Sequence, residues 1–335
     1  MKPIRWGLVG ATAIARDWMI PALRAEGGEI TAVMSSDAAR GAEYASANAI
    51  PWSTASLPEL LARDNIDAVY IATTNDLHCA QHLASIAAGK HVLCEKPLAL
   101  NLADARKMVA AAHKAGLIMG TNHHLRNSGA HRAMRDAVAA GKIGQPLFAR
   151  VFHAVFLPPH LQGWRITRPE TGAGVVMDIT VHDADTLRFV LGLEPESVIA
   201  MVQSAGLASG GLEDGVMGTI RFQGGLLAQF NDAFTVKYAG TGFEVHGTEG
   251  SLIGRNVMTQ RVAGEVLHRH ATGEAMLEFE HENIYQRSVR NFMNAVRGQG
   301  APSATGEDGV RSLAVALAVL EAARTGAVAK IDAGL

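Results

Sequence analysis

The chain has 335 residues, 48% hydrophobic and 19% charged, with a formal net charge of −2. That length favours two domains, each able to fill its own core. Charges of both signs are interspersed and point to neither a nucleic acid nor a membrane surface as partner. No run approaches the length of a membrane span. Cys79 and Cys94 are too few for a disulfide framework, which fits a reducing compartment. The first apolar run, residues 4–9, is too short for a signal peptide. A soluble, cytoplasmic protein is the expectation.

Residues 5–9 read as the first strand, ending in Gly10. Gly10, Ala11, Thr12, Ala13, Ile14 and Ala15 follow, and a helical pattern covers 14–24. The dinucleotide fingerprint is Gly-x-Gly-x-x-Gly/Ala between a strand and a helix. Gly10 is its first glycine and Ala15 its last small residue. Thr12 replaces the middle glycine, which normally lets the backbone approach a pyrophosphate. A plain strand–helix turn is the competing reading. The N-terminal position favours nucleotide binding, and the Thr12 hydroxyl offers its own bond to a phosphate oxygen. The second strand, 30–34, ends at Ser35-Ser36, with Arg40 four residues on. NAD sites carry an acid at that place to hold the ribose 2′-hydroxyl. Hydroxyls with an arginine nearby suit a 2′-phosphate instead, so NADP is expected over NAD. Asp37 argues the other way but lies past the strand end, where it can cap a helix.

Helical patterns follow at 38–48 and 57–63. The next buried strand, 67–72, ends at Thr73, Thr74, Asn75, Asp76, Leu77 and His78. These residues, mostly small and polar, suit the lining of a cofactor cleft. A helix over 79–88 and a Gly89-Lys90 turn lead into the strand 92–94, which stops at Glu95-Lys96-Pro97. Proline cannot donate to a ladder, so it marks the strand's end. Ligands bind at the carboxyl ends of strands in open parallel sheets, which places Lys96 to meet a substrate. A solvated Lys-Pro turn is the bland alternative, and a cis Lys96–Pro97 bond would suit the turn. A helix at 102–115 and a strand at 117–120, ending before Asn122, complete an alternation. That pattern implies a Rossmann-type, doubly wound parallel sheet over residues 1–123.

From about Leu125 the alternation breaks. A helix covers 130–140, and strand-like runs stand at 146–156, 197–204, 216–223, 226–234, 242–246 and 251–254. They read as a large open, mainly antiparallel sheet covered by helices on one face, an α+β domain over 124–335. Helical patterns at 283–298 and 305–325 close the chain. Tyr285 would sit near the domain interface if its helix folds back over the cleft. Asp178 and His182 are four apart, one face of a helix. Gly172 and Gly174 before them allow close backbone approach to a ligand. The functional reading is a carboxylate and an imidazole facing a nicotinamide. A buried, satisfied histidine competes with it, as does a metal site from His182, Asp183 and Asp185. No Cys or His pair has trustworthy zinc spacing, so no metal is expected. His78 and His82 read as an ordinary helix pair.

Residues 67–78 with 88–99, the glycine-rich Asp-x-x-x-His stretch at 172–185 and Gly247-Thr-Glu-Gly-Ser-Leu252 resemble the glucose-fructose oxidoreductase and inositol dehydrogenase family, in order and over nearly the whole chain. The resemblance implies NADPH-dependent reduction of a sugar ketone, with Lys96 and His182 at the reacting carbonyl. It also implies a cofactor site from the 11–14 turn, Ser35, Ser36, Arg40, the 73–78 loop, Glu95, Lys96, Asn122, Trp164, Arg165 and Tyr285. Hydride delivery leaves charge on oxygen, which needs stabilisation and then a proton. Lys96 suits the polariser and His182 the general acid, although the two roles are exchangeable. Asp178 would accept bonds from sugar hydroxyls or orient the histidine. Trp164 could stack on sugar or nicotinamide, and Arg165 could bond polar oxygens; a surface loop anchored by one aromatic is the alternative. An NAD-dependent inositol or sugar dehydrogenase and a non-catalytic NADP sensor are the rival functions. Either a monomer or a homo-oligomer paired through the open sheet face is compatible with the sequence.

Overall fold

Residues 2–335 are described in the computed structural model of the chain. Six short runs form the first sheet: β1 (Arg5–Val9), β2 (Glu29–Met34), β3 (Ser53–Thr54), β4 (Ala68–Ile71), β5 (His91–Cys94) and β6 (Met119–Thr121). Their order is β3-β2-β1-β4-β5-β6, and every pair is parallel. Leu8, Val33, Val69, Tyr70 and Val92 are fully buried, as strands covered on both faces require. The order reverses between β1 and β4, the switch point where open α/β sheets take ligands.

The connecting helices carry their boundaries in the sequence. Asp37 accepts from the Arg40 amide at 2.8 Å and opens the helix Ala38–Ala47. Asn101 does the same for Leu102–Ala115 at 2.9 Å, and Gly116 closes that helix at φ 65°. A side-chain cap of this kind contributes about 1 kcal/mol.

The second sheet has nine strands: β7 (Pro146–Ala154), β8 (Pro195–Gln203), β9 (Gly215–Phe222), β10 (Leu227–Ala233), β11 (Gly242–Gly247), β12 (Gly250–Arg255), β13 (Glu265–His270), β14 (Gly273–Met276) and β15 (Ala329–Lys330). They run in the order β14-β13-β12-β11-β7-β10-β9-β8-β15. The central pair β7–β10 is parallel and its neighbours are antiparallel. In β7 the period-two pattern turns Ala149, Val151 and His153 inward and leaves Phe148 and Arg150 exposed. Helices pack on the inward face, Val181–Leu191 among them. Phe148, Met201 and Met217 are exposed on strands of this sheet. β13, β14 and β15 have no counterpart in the sequence expectations. They are short or polar, so no apolar alternation marks them.

The chain divides into two units. One takes residues 2–123, 285–310 and Leu335; the other takes 124–284 and 311–334. Among the described residues, no helix is long and apolar enough to cross a membrane.

Candidate active site

In the first unit, Gly10 sits at φ 116°, and a Cβ there would lie 3.3 Å from the Ala72 backbone. Only glycine fits that turn without strain. The Gly10 amide donates to Met34 at 2.9 Å, which fixes the loop to the end of β2. Ala11, Thr12, Ala13 and Ile14 are only partly exposed. The Thr12 hydroxyl faces the Ala15 amide at 3.4 Å, and Tyr44 donates to the Thr12 carbonyl at 2.9 Å. A π-helical turn, Ala15–Met19, follows.

Ser35, Ser36 and Arg40 converge. Arg40 Nε donates to Ser35 Oγ at 3.1 Å, and Nη2 donates to Ser36 Oγ at 3.0 Å. Asp37 directs its carboxylate to the Arg40 amide. The end of β2 therefore presents a guanidinium fork and two hydroxyls, a donor set that fits a phosphate group. The glycine-only turn at Gly10 fits a dinucleotide backbone passing close by.

His78 is fully buried, with Nδ1 at 2.8 Å from the Pro97 carbonyl and Nε2 at 3.2 Å from that of Thr73. Burial pushes its pKa down, so the ring is neutral at pH 7. It ties the 73–78 loop to the Lys96–Pro97 turn, whose peptide bond is cis. Within that loop, Thr73 bonds Gln81 at 2.6 Å, Asn75 is buried, Thr74 is partly exposed, and Asp76 and Leu77 are exposed.

Glu95, at the end of β5, is buried, and Oε1 accepts from Tyr70 and from Asn122, each at 2.6 Å. Burial pushes its pKa up, and the bonds from Asn122 and Tyr70 pull it back. Ser288 donates to Asn122 Oδ1 at 3.2 Å. Tyr285 is fully buried and stacks on Trp18 with ring centroids 5.2 Å apart. Ser288 and Tyr285 come from the helix Ile284–Val296, far along the chain.

In the second unit, a π-helical turn, Val176–Thr180, runs into the helix Val181–Leu191. Such turns recur at functional sites. Gly174, at φ 99°, lies against the Glu213 carboxylate where a Cβ would collide. Glu213 Oε1 accepts from the Val176 amide at 3.1 Å. Arg165 Nε lies 3.4 Å from Asp178 Oδ2, and its guanidinium covers the Trp164 ring at 4.8 Å. Trp164, Arg165 and Asp178 thus form one group. His182 is 7% exposed, and its ring meets that of His124 edge-on, with centroids 4.7 Å apart. Two residues on the same helix that a metal reading would use are engaged elsewhere. Asp185 takes both arms of Arg126 at 2.7 Å, and Asp183 faces His153 Nδ1 at 2.8 Å. Among the described residues no cluster of three His, Cys, Asp or Glu could hold a metal ion. The sequence reading passed over His124, Arg126, His153, Glu213 and Asp232.

Residues 4–123 match the family described as oxidoreductase, NAD-binding Rossmann fold, and residues 131–253 match the GFO/IDH/MocA C-terminal domain. The protein is a Rossmann-fold oxidoreductase. Over 331 residues it is 62% identical to 1,5-anhydro-D-fructose reductase of Ensifer adhaerens, covering 99% of each chain. It is 30% identical over 264 residues to myo-inositol 2-dehydrogenase of Thermotoga maritima, covering 76% of this chain and 77% of the other. Its fold matches aldose-aldose oxidoreductase from Caulobacter crescentus with a TM-score of 0.89 at 24% identity, over 98% of this chain and 100% of that one. The chain belongs to the GFO/IDH/MocA oxidoreductase family.

Proposed function

We propose that this oxidoreductase uses NADPH to reduce 1,5-anhydro-D-fructose to 1,5-anhydro-D-mannitol. The observation that carries the substrate is the 62% identity, across 99% of both chains, to the reductase of that name. The preference for NADPH is supported by the Arg40 fork on Ser35 and Ser36, with the Asp37 carboxylate directed to the Arg40 amide as a helix cap.

NADPH would be held by Gly10 and the 11–14 loop, by Ser35, Ser36 and Arg40, and by the 73–78 loop. Glu95, Lys96, Asn122, Trp164, Arg165 and Tyr285 would complete the set. The reduced nicotinamide supplies the hydride. Lys96 donates to the substrate carbonyl oxygen and stabilises the charge that develops there. His182 delivers the proton to that oxygen, since an imidazole with an intrinsic pKa near ~6.5 can do so near neutrality. Asp178, beside Arg165, accepts from sugar hydroxyls or orients His182.

Steady-state turnover of 1,5-anhydro-D-fructose with NADPH and with NADH tests the assignment. A kcat/KM at least about tenfold higher with NADPH is expected, the worth of one charge-assisted bond to phosphate. Arg40→Ala should narrow that ratio. Equal use of NADH sinks the cofactor assignment. Oxidation of myo-inositol with NAD, without reduction of the anhydroketose, sinks the substrate.

A further inference from the structure

The helix that carries His182 is fastened to the second sheet by acids with no role in the chemistry above. Asp183 is fully buried, and its Oδ1 faces His153 Nδ1 on β7 at 2.8 Å. Asp232 on β10 is 1% exposed, and its Oδ2 accepts from the Thr180 hydroxyl at 2.6 Å. His153 and Asp232 are register partners on the adjacent parallel strands β7 and β10. The remaining oxygens, Asp183 Oδ2 and Asp232 Oδ1, are buried and meet no nitrogen or hydroxyl donor among the described residues. Thr180 and Asp183 lie three residues apart on one helical segment, and their partners Asp232 and His153 stand opposite each other on β10 and β7, so the two carboxyls belong to one buried cluster. Two carboxylate oxygens cannot bond without a proton between them, and two bare charges in a dry interior repel strongly.

We propose that Asp183 and Asp232 share one proton, carried by Asp232, and that this dyad positions the helical turn bearing His182. Thr180 and Asp183 flank that turn, so one bond on each side fastens it to β7 and β10. The dyad is a positioning device, since His182 is the group assigned to the substrate; this role rests on the proposed function, whereas the shared proton does not.

The electrostatics agree with the geometry. Burial pushes Asp183 up to about 7. Asp232 is pushed well above its usual range by burial, by the Asp183 charge and by the bond to Asp183, with Thr180 and His153 pulling the other way. His153 Nδ1 beside Asp183 Oδ1 favours the ionised form on Asp183, which assigns the shared proton to Asp232. The other titratable group facing the cluster is His131, on the helix Gly129–Ala139, pushed down to about 4 by burial and by His153. Asp185, two residues past Asp183, is engaged by Arg126.

Asparagine mimics a protonated aspartate: its NH2 can donate to Asp183 Oδ2 while its oxygen accepts from Thr180. Leucine at 232 can do neither. Infrared difference spectra of the wild type and Asp232→Asn at pH 7 should show a buried protonated-carboxyl band in the wild type that the variant lacks. Identical spectra overturn the shared proton. Asp232 keeps its proton in the folded chain well above the range in which the unfolded chain loses it, so its contribution is present below the ordinary carboxyl range and is lost progressively as pH rises above that range. The Tm of Asp232→Asn should therefore gain on that of the wild type between pH 5 and 8, by roughly a few degrees. A constant offset overturns the proposal. Asp232→Leu should lower kcat about tenfold, the cost of modest misplacement, with the KM for NADPH unchanged, and Asp232→Asn should restore it. Equal kcat in all three proteins removes the positioning role, and if the leucine variant does not fold, the other two arms still decide. Neither the infrared nor the thermal arm uses substrate, so His182→Ala with full turnover removes the acid assignment while leaving the shared proton standing.

Discussion

Each unit places a residue assigned to catalysis next to a buried acid, and the two acids are accommodated differently. Lys96 follows Glu95, whose Oε1 receives neutral donors from Tyr70 and Asn122. His182 precedes Asp183, which faces a second carboxyl as well as His153. Burial raises both acids. In the first unit hydroxyl and amide donors offset that cost, whereas in the second a proton must. Donors are built into the fold at any pH, but a proton is lent by solvent. Conditions should therefore separate the two units more clearly than truncations do.

The largest expected effects come from the chain neighbours of the two acids. Lys96→Ala and His182→Ala should each lower kcat by roughly 10²-fold or more, in keeping with lost acid catalysis or oxyanion stabilisation. Near wild-type turnover in either variant removes its assigned role. Next come the acids' supports. Tyr70→Phe takes one donor from Glu95 and should cost about 1.5–3 kcal/mol in chemical denaturation, since the bond is buried and its acceptor is a carboxyl. Gly174→Ala should cost about 1–3 kcal/mol, because φ is 99° and the new Cβ meets Glu213. Full stability in that variant would mean that the approach of Glu213 to the helix start is not required. The smallest effect sharpens the comparison most. Asp67→Asn weakens the half-exposed Arg5 pair and should cost only about 0.5–1 kcal/mol, with little change between pH 6 and 8. A partly buried ion pair with that flat profile is the reference for the sloping profile expected at Asp232.

Part of the candidate site was legible because it is local. Gly10, Ser35, Ser36 and Arg40 fall within one βαβ span, where strand ends and helix starts are fixed by nearby residues. The same holds for Glu95-Lys96-Pro97, where proline after an apolar run announces a strand's end, and for Asp178 and His182, which lie within about a helical turn. Asp37 as a helix cap was legible for the same reason. Other partners left no local signal. Tyr70 and Asn122 stand 25 and 27 residues from Glu95, and Ser288 stands 166 from Asn122. His153 and Asp232 reach Asp183 from separate strands, 30 residues away in the case of His153. Strands β13 and β14, at one end of the sheet, escaped because they are polar and carry no apolar alternation.

The sequence by itself determined what periodicity and punctuation encode: a parallel Rossmann sheet, a mostly antiparallel second sheet, and a lysine at a strand's carboxyl end. These follow from hydrophobic period, proline and glycine, which act over a few residues. Only the tertiary structure decided how the buried charges are satisfied. It brought Ser288 and Tyr285 back into the first unit, closed Arg126 on Asp185, and set Asp232 against Asp183. A buried carboxyl takes its donors from whatever the fold brings near, and the register of β7 against β10 sets that proximity while chain distance does not.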